Sequence, residues 1–242
     1  MIHLFALLSL LLCGVCYTGF QNSSHFRNTG SRRSLLLLVF GGALLLRLLL
    51  AYTTHGFSND IACFAAWADR IFTLGPGQFY SAEMFTDYPP GFMYVLYLIG
   101  ALRSLLQIPY YSDLHILLLK LPAILCDIAC GFLLYREAVK RLHFSDLQGI
   151  FAASAYLFQP AVILNSSCWG QVDSVYTLMI ILMCLFLMKG NLLPAYAVYG
   201  LGVLLKPQML IFTPVLLAGI WDHVFLQDFS WRKFFYNLCG GL

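Results

Sequence analysis

Charge is what this sequence has least of. Of its 242 residues, 10% are Asp, Glu, Lys or Arg, whereas soluble domains contain roughly 25%. A soluble enzyme or nucleic-acid-binding domain of this length could not cover its surface with so few charges, and a formal net charge of +3 attracts no polyanion strongly. Aromatic residues are not scarce, at 16%, which excludes a disordered tail. With 60% hydrophobic residues, the composition indicates a membrane protein whose surface is solvated largely by lipid.

Several apolar runs approach the ~20 residues that a helix needs to cross a bilayer. They cover residues 2–17, 34–52, 92–107, 113–135, 148–166, 173–188 and 192–226. We therefore predict an all-α fold, a polytopic transmembrane helix bundle that forms a single domain over 1–242. Residues 2–17 lack the basic start of a signal peptide, so we expect a retained first helix.

Basic residues between the runs predict the orientation. They are concentrated in residues 18–33 and 136–141, which indicates that both segments are cytoplasmic and that the loop 53–91 lies outside. This orientation requires an odd number of crossings between the outer loop and 136–141. We therefore expect 113–135 to cross and the short run 92–107, which contains an arginine, to be partial, re-entrant or interfacial. The alternative is that these basic residues do not mark the cytoplasmic side of the membrane.

The outer loop contains an amphipathic helix. Residues Asn59–Leu74 place apolar side chains at helical spacing, with Ser58 or Asn59 as a cap and Gly75 as a stop. We expect this helix to lie along the membrane interface with its apolar face toward lipid. Cys63 and Cys168 both lie near segments outside the membrane core, so a disulfide between them is one interpretation.

Charge within an apolar run is costly and usually functional or paired, and four such residues stand out. Arg47 is near the end of its run, so extension toward the outer surface is the simple alternative to a function. Lys120 and Asp127 are about two helical turns apart and share a face. They are either functional or make polar contacts with a neighbouring helix. Lys206 is the fourth.

A polar segment interrupts the second half of the chain at residues 165–174. A turn explains its glycine and some of its polar residues, but not the close grouping of Trp169, Gln171 and Asp173. These side chains offer a stacking surface, an amide and an anion, which suit the ring face and hydroxyls of a sugar. We predict a binding site there.

Two further positions are candidate site residues. Lys206-Pro207-Gln208 breaks the run 192–226 as either a kink or a hairpin tip. A lysine there is suited to binding phosphate, the alternative being a lysine that extends to the surface. Asp60 begins the amphipathic helix, where a carboxylate is placed to act as a general base, or is simply an acid of the first helical turn.

Taken together, these positions resemble the GT-C superfamily of polyprenol-linked-sugar glycosyltransferases, and most closely its GPI-mannosyltransferase-like integral membrane family. The matching positions are Arg47, Gly56–Asp60, Phe64, Trp67, Gly77–Tyr80, Asp87–Gly91, Lys120–Pro122 with Asp127, Trp169–Ser174 and Lys206–Gln208. The Asp87-Tyr88-Pro89-Pro90 element is also similar to that of the dolichyl-phosphate-glucose glucosyltransferases of N-glycan assembly.

The resemblance implies an inverting transfer of a sugar, by family default mannose, from polyprenyl phosphate to an acceptor hydroxyl of unknown identity. It implies that Asp60 is the catalytic base and that Lys206 or Arg47 stabilises the leaving phosphate. The implied substrate-binding residues are Arg47, Asp87, Tyr88, Lys120, Asp127, Trp169, Gln171, Asp173, Lys206 and Gln208. No cofactor is implied, and a divalent metal held by Asp60, Asp87 and Asp173 is the less favoured alternative.

The resemblance also implies a multi-pass protein of the plasma membrane in a prokaryote or of the endoplasmic reticulum in a eukaryote. Members of the family are usually longer, so we expect this chain to be a C-terminally truncated transferase. Two other classes of function remain open: a transporter or flippase of a lipid-linked or polar solute, whose charges would line a path, and an inactive fragment.

Overall fold

The structure is a computed structural model, and it describes residues 29–81, 85–223 and residue 235. Every regular element among these residues is a helix, which confirms the all-α prediction for this part of the chain. The predicted first span, 2–17, lies outside the described residues. Contacts group the chain into two compact units, whereas the sequence suggested a single domain. Unit 1 extends to Ala65 and includes Gln107–Ser174; unit 2 includes Ala66–Leu106 and begins again at Val175.

Unit 1 is formed around two long apolar helices. Its elements are α1 (Thr29–Thr53), the start of α2 (Ser58–Leu74), α4 (Asp113–Lys140), α5 (Asp146–Leu157) and α6 (Pro160–Ile163), which continues as a π-helical turn over Leu164–Trp169. Within α1, the 22 residues Arg32–Thr53 are long and apolar enough to cross a membrane, because such a helix is ~33 Å long. The 28 residues of α4 also suffice.

The segment predicted to span at 148–166 is a broken helix. Ser145 and Gln148 form a capping box that begins α5. Pro160 has no N–H group to continue the helical hydrogen bonds, and α5 and the following helix meet at an angle of 51°. If this bent pair counts as one span, the described residues contain three candidate membrane spans; otherwise they contain two.

Unit 2 contains shorter apolar helices. They are the rest of α2, α3 (Pro90–Leu105), most of α7 (Asp173–Met188), α8 (Leu192–Leu205) and α9 (Thr213–Trp221). The 16 residues of α3 extend only ~24 Å, less than the ~30 Å hydrocarbon core. A short helix here agrees with the expectation that 92–107 crosses incompletely, which stays a prediction.

Two contacts explain how α3 tolerates its arginine and its glycine. Arg103 forms an ion pair with Asp69 of α2. A Cβ atom on Gly100 would lie 2.5 Å from the carbonyl oxygen of Ala68, so the two helix backbones approach closely at this glycine. The charge in this apolar run is therefore paired within unit 2.

The break at Lys206 is the tip of a helical hairpin. A 3₁₀ segment, Pro207–Phe212, joins α8 to α9. Tyr199 and Thr213 form a hydrogen bond through their hydroxyls, and Ala195 and Leu216 belong to one apolar core. A single kinked helix would hold these pairs far apart, so the structure decides between the two interpretations that the sequence left open.

Helix α2 has almost the predicted bounds, but its environment differs from the prediction. Its apolar face is buried by protein, with Ile61, Phe64, Ala65, Ala68 and Ile71 each at most 2% exposed. This face therefore cannot lie against lipid at the membrane interface, and that prediction is wrong. The spacing of apolar residues indicated a covered face but could not indicate whether protein or lipid covers it.

Candidate functional site

Asp60 lies in the first turn of α2, next to the polar segment of residues 165–174. The carbonyl of Phe57 accepts the N–H of Ile61 at 3.0 Å and so begins the helix. Asp60 Oδ2 accepts hydrogen bonds from Trp169 Nε1 at 2.9 Å and from Gln171 Nε2 at 2.5 Å. The structure thus brings together a predicted base and two predicted sugar-binding residues that are 109 and 111 positions away in sequence.

Backbone geometry holds the Trp169–Gln171 segment in place. The π-helical turn ends at Gly170, whose φ of 90° is in the left-handed region that glycine tolerates. The N–H groups of Gly170 and Gln171 both donate to the carbonyl of Asn165, at 3.1 and 3.0 Å. The N–H of Phe57 donates to the carbonyl of Trp169 at 2.8 Å, which ties the segment before α2 to this turn.

The site is open on its aromatic side. Trp169 is 50% exposed and Phe57 is 45% exposed, and their ring centroids are 5.2 Å apart. Asp60 and Gln171 are partly exposed. We did not predict Phe57 as a site residue; its signal in the sequence was an aromatic side chain three positions before a helical first-turn acid. An amphipathic ligand therefore has both an aromatic surface and a carboxylate to contact in unit 1.

Asp127 lies in a fully buried polar cluster of unit 1. Its Oδ2 accepts from Arg47 Nε at 3.1 Å and from Ser166 Oγ at 2.6 Å. Its Oδ1 accepts from Ser174 Oγ at 2.5 Å and from Tyr156 OH at 3.3 Å. Arg47 and Asp127 are both 0% exposed, so the alternative that Arg47 extends toward the surface is wrong.

Arg47 also hydrogen-bonds the backbone where the helix breaks between α5 and α6. Its Nη2 donates to the carbonyl of Leu157 at 2.7 Å, and its Nη1 donates to that of Ala43 at 3.3 Å. Leu157 is the last residue of α5, where carbonyls lose their helical partners. The guanidinium therefore satisfies a buried backbone group as well as a carboxylate, and it offers no exposed face to a ligand.

Lys120 is the second buried cation of unit 1. Its Nζ donates to the carbonyls of Ala51 at 3.2 Å, Thr54 at 2.7 Å and Ser167 at 3.0 Å, and to the Thr54 hydroxyl at 3.1 Å. The side chain is 0% exposed. A lysine near a helix C-terminus stabilises the last carbonyls and the negative end of the helix dipole. Of the two roles that the sequence left open for Lys120, the structure shows the second: polar contacts with a neighbouring helix.

Asp173 and Asn165 complete the polar segment. Asp173 Oδ2 accepts from Asn165 Nδ2 at 2.9 Å, and Asp173 lies in the first turn of α7. The Oδ1 atom of Asn165 is buried and accepts no hydrogen bond from the described part of the chain. The predicted grouping of Trp169, Gln171 and Asp173 is therefore divided: two residues contact Asp60, and Asp173 contacts Asn165.

In unit 2, Lys206 lies at the hairpin tip between two aromatic rings. Its Nζ is 5.6 Å from the ring centroid of Tyr88 and 5.7 Å from that of Tyr176, within cation–π range. The residue is 7% exposed, so the alternative of a lysine extended to the surface is wrong. A phosphate contact by Lys206 stays a prediction.

The neighbours of Tyr88 form an aromatic group. Its ring centroid is 5.7 Å from that of Trp67 and 5.5 Å from that of Phe92. Tyr80 donates its hydroxyl to the Tyr88 carbonyl at 3.0 Å, and burial raises the pKa of the Tyr80 hydroxyl. The Asp87 and Gln208 side chains are exposed. The Tyr88 turn is thus held by its backbone and ring.

Neither a disulfide nor a metal cluster is found in the described residues. Cys63 and Cys168 are both free thiols, so the disulfide interpretation is wrong. No group of three or more His, Cys, Asp or Glu side chains that could hold a metal ion occurs within 29–81 and 85–223.

Comparison with known proteins gives no assignment. The chain matches no protein family model, and no curated protein matches it significantly in sequence. The resemblance to the GT-C superfamily therefore stays a prediction based on the residues quoted above.

Proposed function

We propose that this chain is a multi-pass membrane glycosyltransferase of the GT-C type, with Asp60 as its general base. The donor is a sugar on polyprenyl phosphate, and the acceptor is a hydroxyl group. The observation that carries the proposal is the contact of Asp60 with Trp169 and Gln171, which are distant in sequence and partly exposed. A carboxylate held by two polar side chains beside an open aromatic pair has the composition of a sugar site.

The two hydrogen bonds to Asp60 are made to one carboxylate oxygen, which leaves the other oxygen to accept a substrate proton. Both donors bind Oδ2, and Oδ1 accepts no hydrogen bond from residues 29–81 and 85–223. A general base must lie within hydrogen-bond reach of the hydroxyl that it deprotonates. Oδ1 is the atom available for that contact, and the orientation of the carboxylate is fixed by Trp169 and Gln171.

The proposed reaction is a single inverting displacement. The acceptor hydroxyl oxygen forms a bond to the anomeric carbon while its proton passes to Asp60. The bond between the anomeric carbon and the phosphate oxygen breaks, and its electron pair leaves with the polyprenyl phosphate. The resemblance implies Lys206 as the phosphate contact and Asp87, Tyr88 and Gln208 as donor-binding residues, and these roles stay predictions. Arg47 is no longer proposed as a phosphate contact, because it is buried and paired with Asp127.

The buried charges of unit 1 favour this proposal over a transporter. A polar path through a membrane needs ionisable groups that face water or a solute. Arg47, Lys120 and Asp127 instead have protein partners and no exposed surface. They stabilise the packing of helices, which suits a fixed site near the end of α1.

The test is an assay of the full chain in proteoliposomes with polyprenyl phosphate mannose and polyprenyl phosphate glucose as donors. A membrane lipid extract serves as the acceptor, and release of polyprenyl phosphate is measured together with formation of a glycosylated product. We expect Asp60→Asn to lower the rate about 10²–10⁴-fold, because it removes the base. The variant should insert and accumulate as the native chain does.

Asp113→Asn is the matched control. Asp113 is also a first-turn acid of a helix in unit 1, with a half-exposed side chain, and it has no part in the proposed reaction. Its rate should equal that of the native chain. Full activity of Asp60→Asn would remove Asp60 from the mechanism. Solute flux without a covalent product would favour the transporter instead.

A further inference from the structure

Two polar residues on one face of α4 contact both segments that form the Asp60 site. Lys120 and Asp127 are about two turns apart, and both are completely buried. Neither contacts Asp60, Trp169 or Gln171 directly through a hydrogen bond in the described residues. Their partners lie on either side of those residues in sequence, so their contacts control where the site residues are held.

Asp127 binds the two ends of the polar segment. Ser166 precedes Trp169 and Ser174 follows Gln171, and their hydroxyls donate to the two different oxygens of the same carboxylate, at 2.6 and 2.5 Å. The Asp127 carboxylate thereby holds the two ends of the segment 166–174 together, so that the segment forms a loop. Hydrogen bonds to a charged group in a low-dielectric environment are among the stronger ones in proteins.

Lys120 joins that loop to the segment that precedes Asp60. Its ammonium bridges the carbonyl of Ser167 at 3.0 Å and the carbonyl of Thr54 at 2.7 Å. Thr54 lies between the end of α1 and the start of α2, and its own hydroxyl donates to the Leu50 carbonyl at 2.6 Å. The cation therefore fixes the distance between the two backbone segments that provide Trp169 and Asp60.

Glycine at position 170 allows the two segments to meet. A Cβ atom there would lie 2.6 Å from Ile61 Cδ1 and 3.3 Å from Lys120 Cε. The aliphatic part of the Lys120 side chain thus lies next to Gly170 of the loop. An added methyl group would therefore require the Ile61 side chain to move, and a φ of +90° would be strained for a residue that has a Cβ atom.

We propose that Asp127 and Lys120 are positioning residues that hold Trp169 and Gln171 against Asp60, and that they are not substrate ligands. The inference rests on the proposed function for its activity readout only. It replaces the substrate-binding role that the sequence suggested for both residues, and it extends the machinery of the site to Ser166, Ser174 and Thr54. Sequence reasoning gave these three no role of their own.

The test removes one hydroxyl that donates to the Asp127 carboxylate and leaves every charge in place. Ser174→Ala deletes one donor to Asp127. Ser154→Ala is the matched control, because Ser154 is also a buried serine of unit 1 and its hydroxyl's one hydrogen-bond partner among the described residues is the Ile150 carbonyl of its own helix. Each variant loses one buried hydrogen bond, so both should unfold at slightly lower temperature by far-UV circular dichroism.

The deciding measurement is the fluorescence of Trp169, obtained in the full chain by subtracting the spectrum of Trp169→Phe. Its indole N–H donates to Asp60, so Asp60→Ala provides the spectrum of the broken contact. We expect Ser174→Ala to shift the emission maximum toward that of Asp60→Ala and to raise quenching by iodide. Ser154→Ala should match the native spectrum. Lys120→Met should shift the emission further than Ser174→Ala.

Kinetics provide the second measurement. Displacement of positioned groups lowers kcat, and we expect a loss of about tenfold for Ser174→Ala, below the ~100-fold that a full 1 Å displacement produces. KM for the polyprenyl phosphate donor should change by a smaller factor than kcat, because the variant removes no group that binds the phosphate or the polyprenyl chain.

Three outcomes separate the alternatives. A native Trp169 spectrum in Ser174→Ala, with the same stability loss as Ser154→Ala, would overturn the proposal and leave the cluster as packing only. A raised KM with an unchanged spectrum would also overturn it and make the cluster a substrate contact. A shifted spectrum in a chain that transfers no sugar would refute the proposed function and leave the positioning role supported.

Discussion

Asp60 and Asp127 are two carboxylates of unit 1 with similar hydrogen-bond partners and opposite surroundings. Each accepts hydrogen bonds from side chains of the segment 165–174. Asp127 also has a cationic partner and is 0% exposed, whereas Asp60 has two uncharged donors and a partly exposed side chain. The comparison shows that residue type and spacing alone do not separate a partly exposed carboxylate from a buried one that is fully paired.

The difference between the two carboxylates lies in what remains open to a ligand. Asp127 receives four donors on its two oxygens. Asp60 receives two on one oxygen. A buried carboxylate with every oxygen occupied can only hold structure, because another ligand would have to displace a protein partner. Variants at Asp127 should therefore lower stability, and should lower activity only through the positions of Trp169 and Gln171, whereas variants at Asp60 should lower activity directly.

The largest expected effect is the loss of one partner from the buried ion pair. Asp127→Leu leaves the Arg47 guanidinium buried without its carboxylate, which should lower the free energy of unfolding by about 3–5 kcal/mol. Asp60→Leu should lower it by less than about 1 kcal/mol, because that carboxylate is partly exposed and has no cationic partner within the described part of the chain. The measurement is denaturant unfolding of both variants in detergent, followed by circular dichroism.

The double variant Arg47→Met with Asp127→Leu sharpens this test. Replacing both charges with apolar side chains of similar size is often neutral for stability, so the double variant should recover most of the loss. If Asp127→Leu proved no less stable than Asp60→Leu, the division into a structural and a functional carboxylate would be wrong.

The second effect concerns the cation that joins the two segments of the site. Lys120→Met removes hydrogen bonds to three carbonyls and should lower the free energy of unfolding by about 2–3 kcal/mol. Lys140→Met is the control, because this exposed lysine lies in the last turn of the same helix. Its effect should stay within about 0.5 kcal/mol. Equal effects on unfolding would show that the contacts of Lys120 contribute nothing.

The sequence predicted the helices well because apolar spacing reflects a local property of the chain. The bounds of α2 and the break at Lys206 could be read from spacing, glycine and proline. Pro160 also signals a break, but we predicted one span over 148–166 because the composition there is continuously apolar. Charge within apolar runs correctly marked Arg47, Lys120, Asp127 and Lys206 as residues that need partners.

The identity of those partners could not be predicted, because it depends on contacts between residues far apart in sequence. Nothing local shows that Arg47 meets Asp127 or that Trp169 meets Asp60. Ser166 and Ser174 looked like ordinary residues of a polar turn. The same limit affected the apolar face of α2, since amphipathic spacing is equal for a face covered by lipid and one covered by protein.

The smallest effect tests whether the loop geometry around Asp60 is as tight as that around Asp127. Gly170→Ala places a methyl group 2.6 Å from Ile61 Cδ1 at a φ of +90°, which should cost about 1–3 kcal/mol of unfolding free energy. Gly41→Ala is the control, because Gly41 lies inside α1 and, apart from the backbone of its own helix, no described atom lies within 4 Å of the added Cβ. That change should stabilise the helix by about 0.5–1 kcal/mol. In Gly170→Ala the Trp169 emission should also shift, because a φ of +90° is strained for alanine and the loop relieves that strain by changing its backbone conformation. A native Trp169 spectrum in this variant would mean that the loop adapts to the methyl group without moving, and the site around Asp60 would then be less rigid than the buried cluster that supports it.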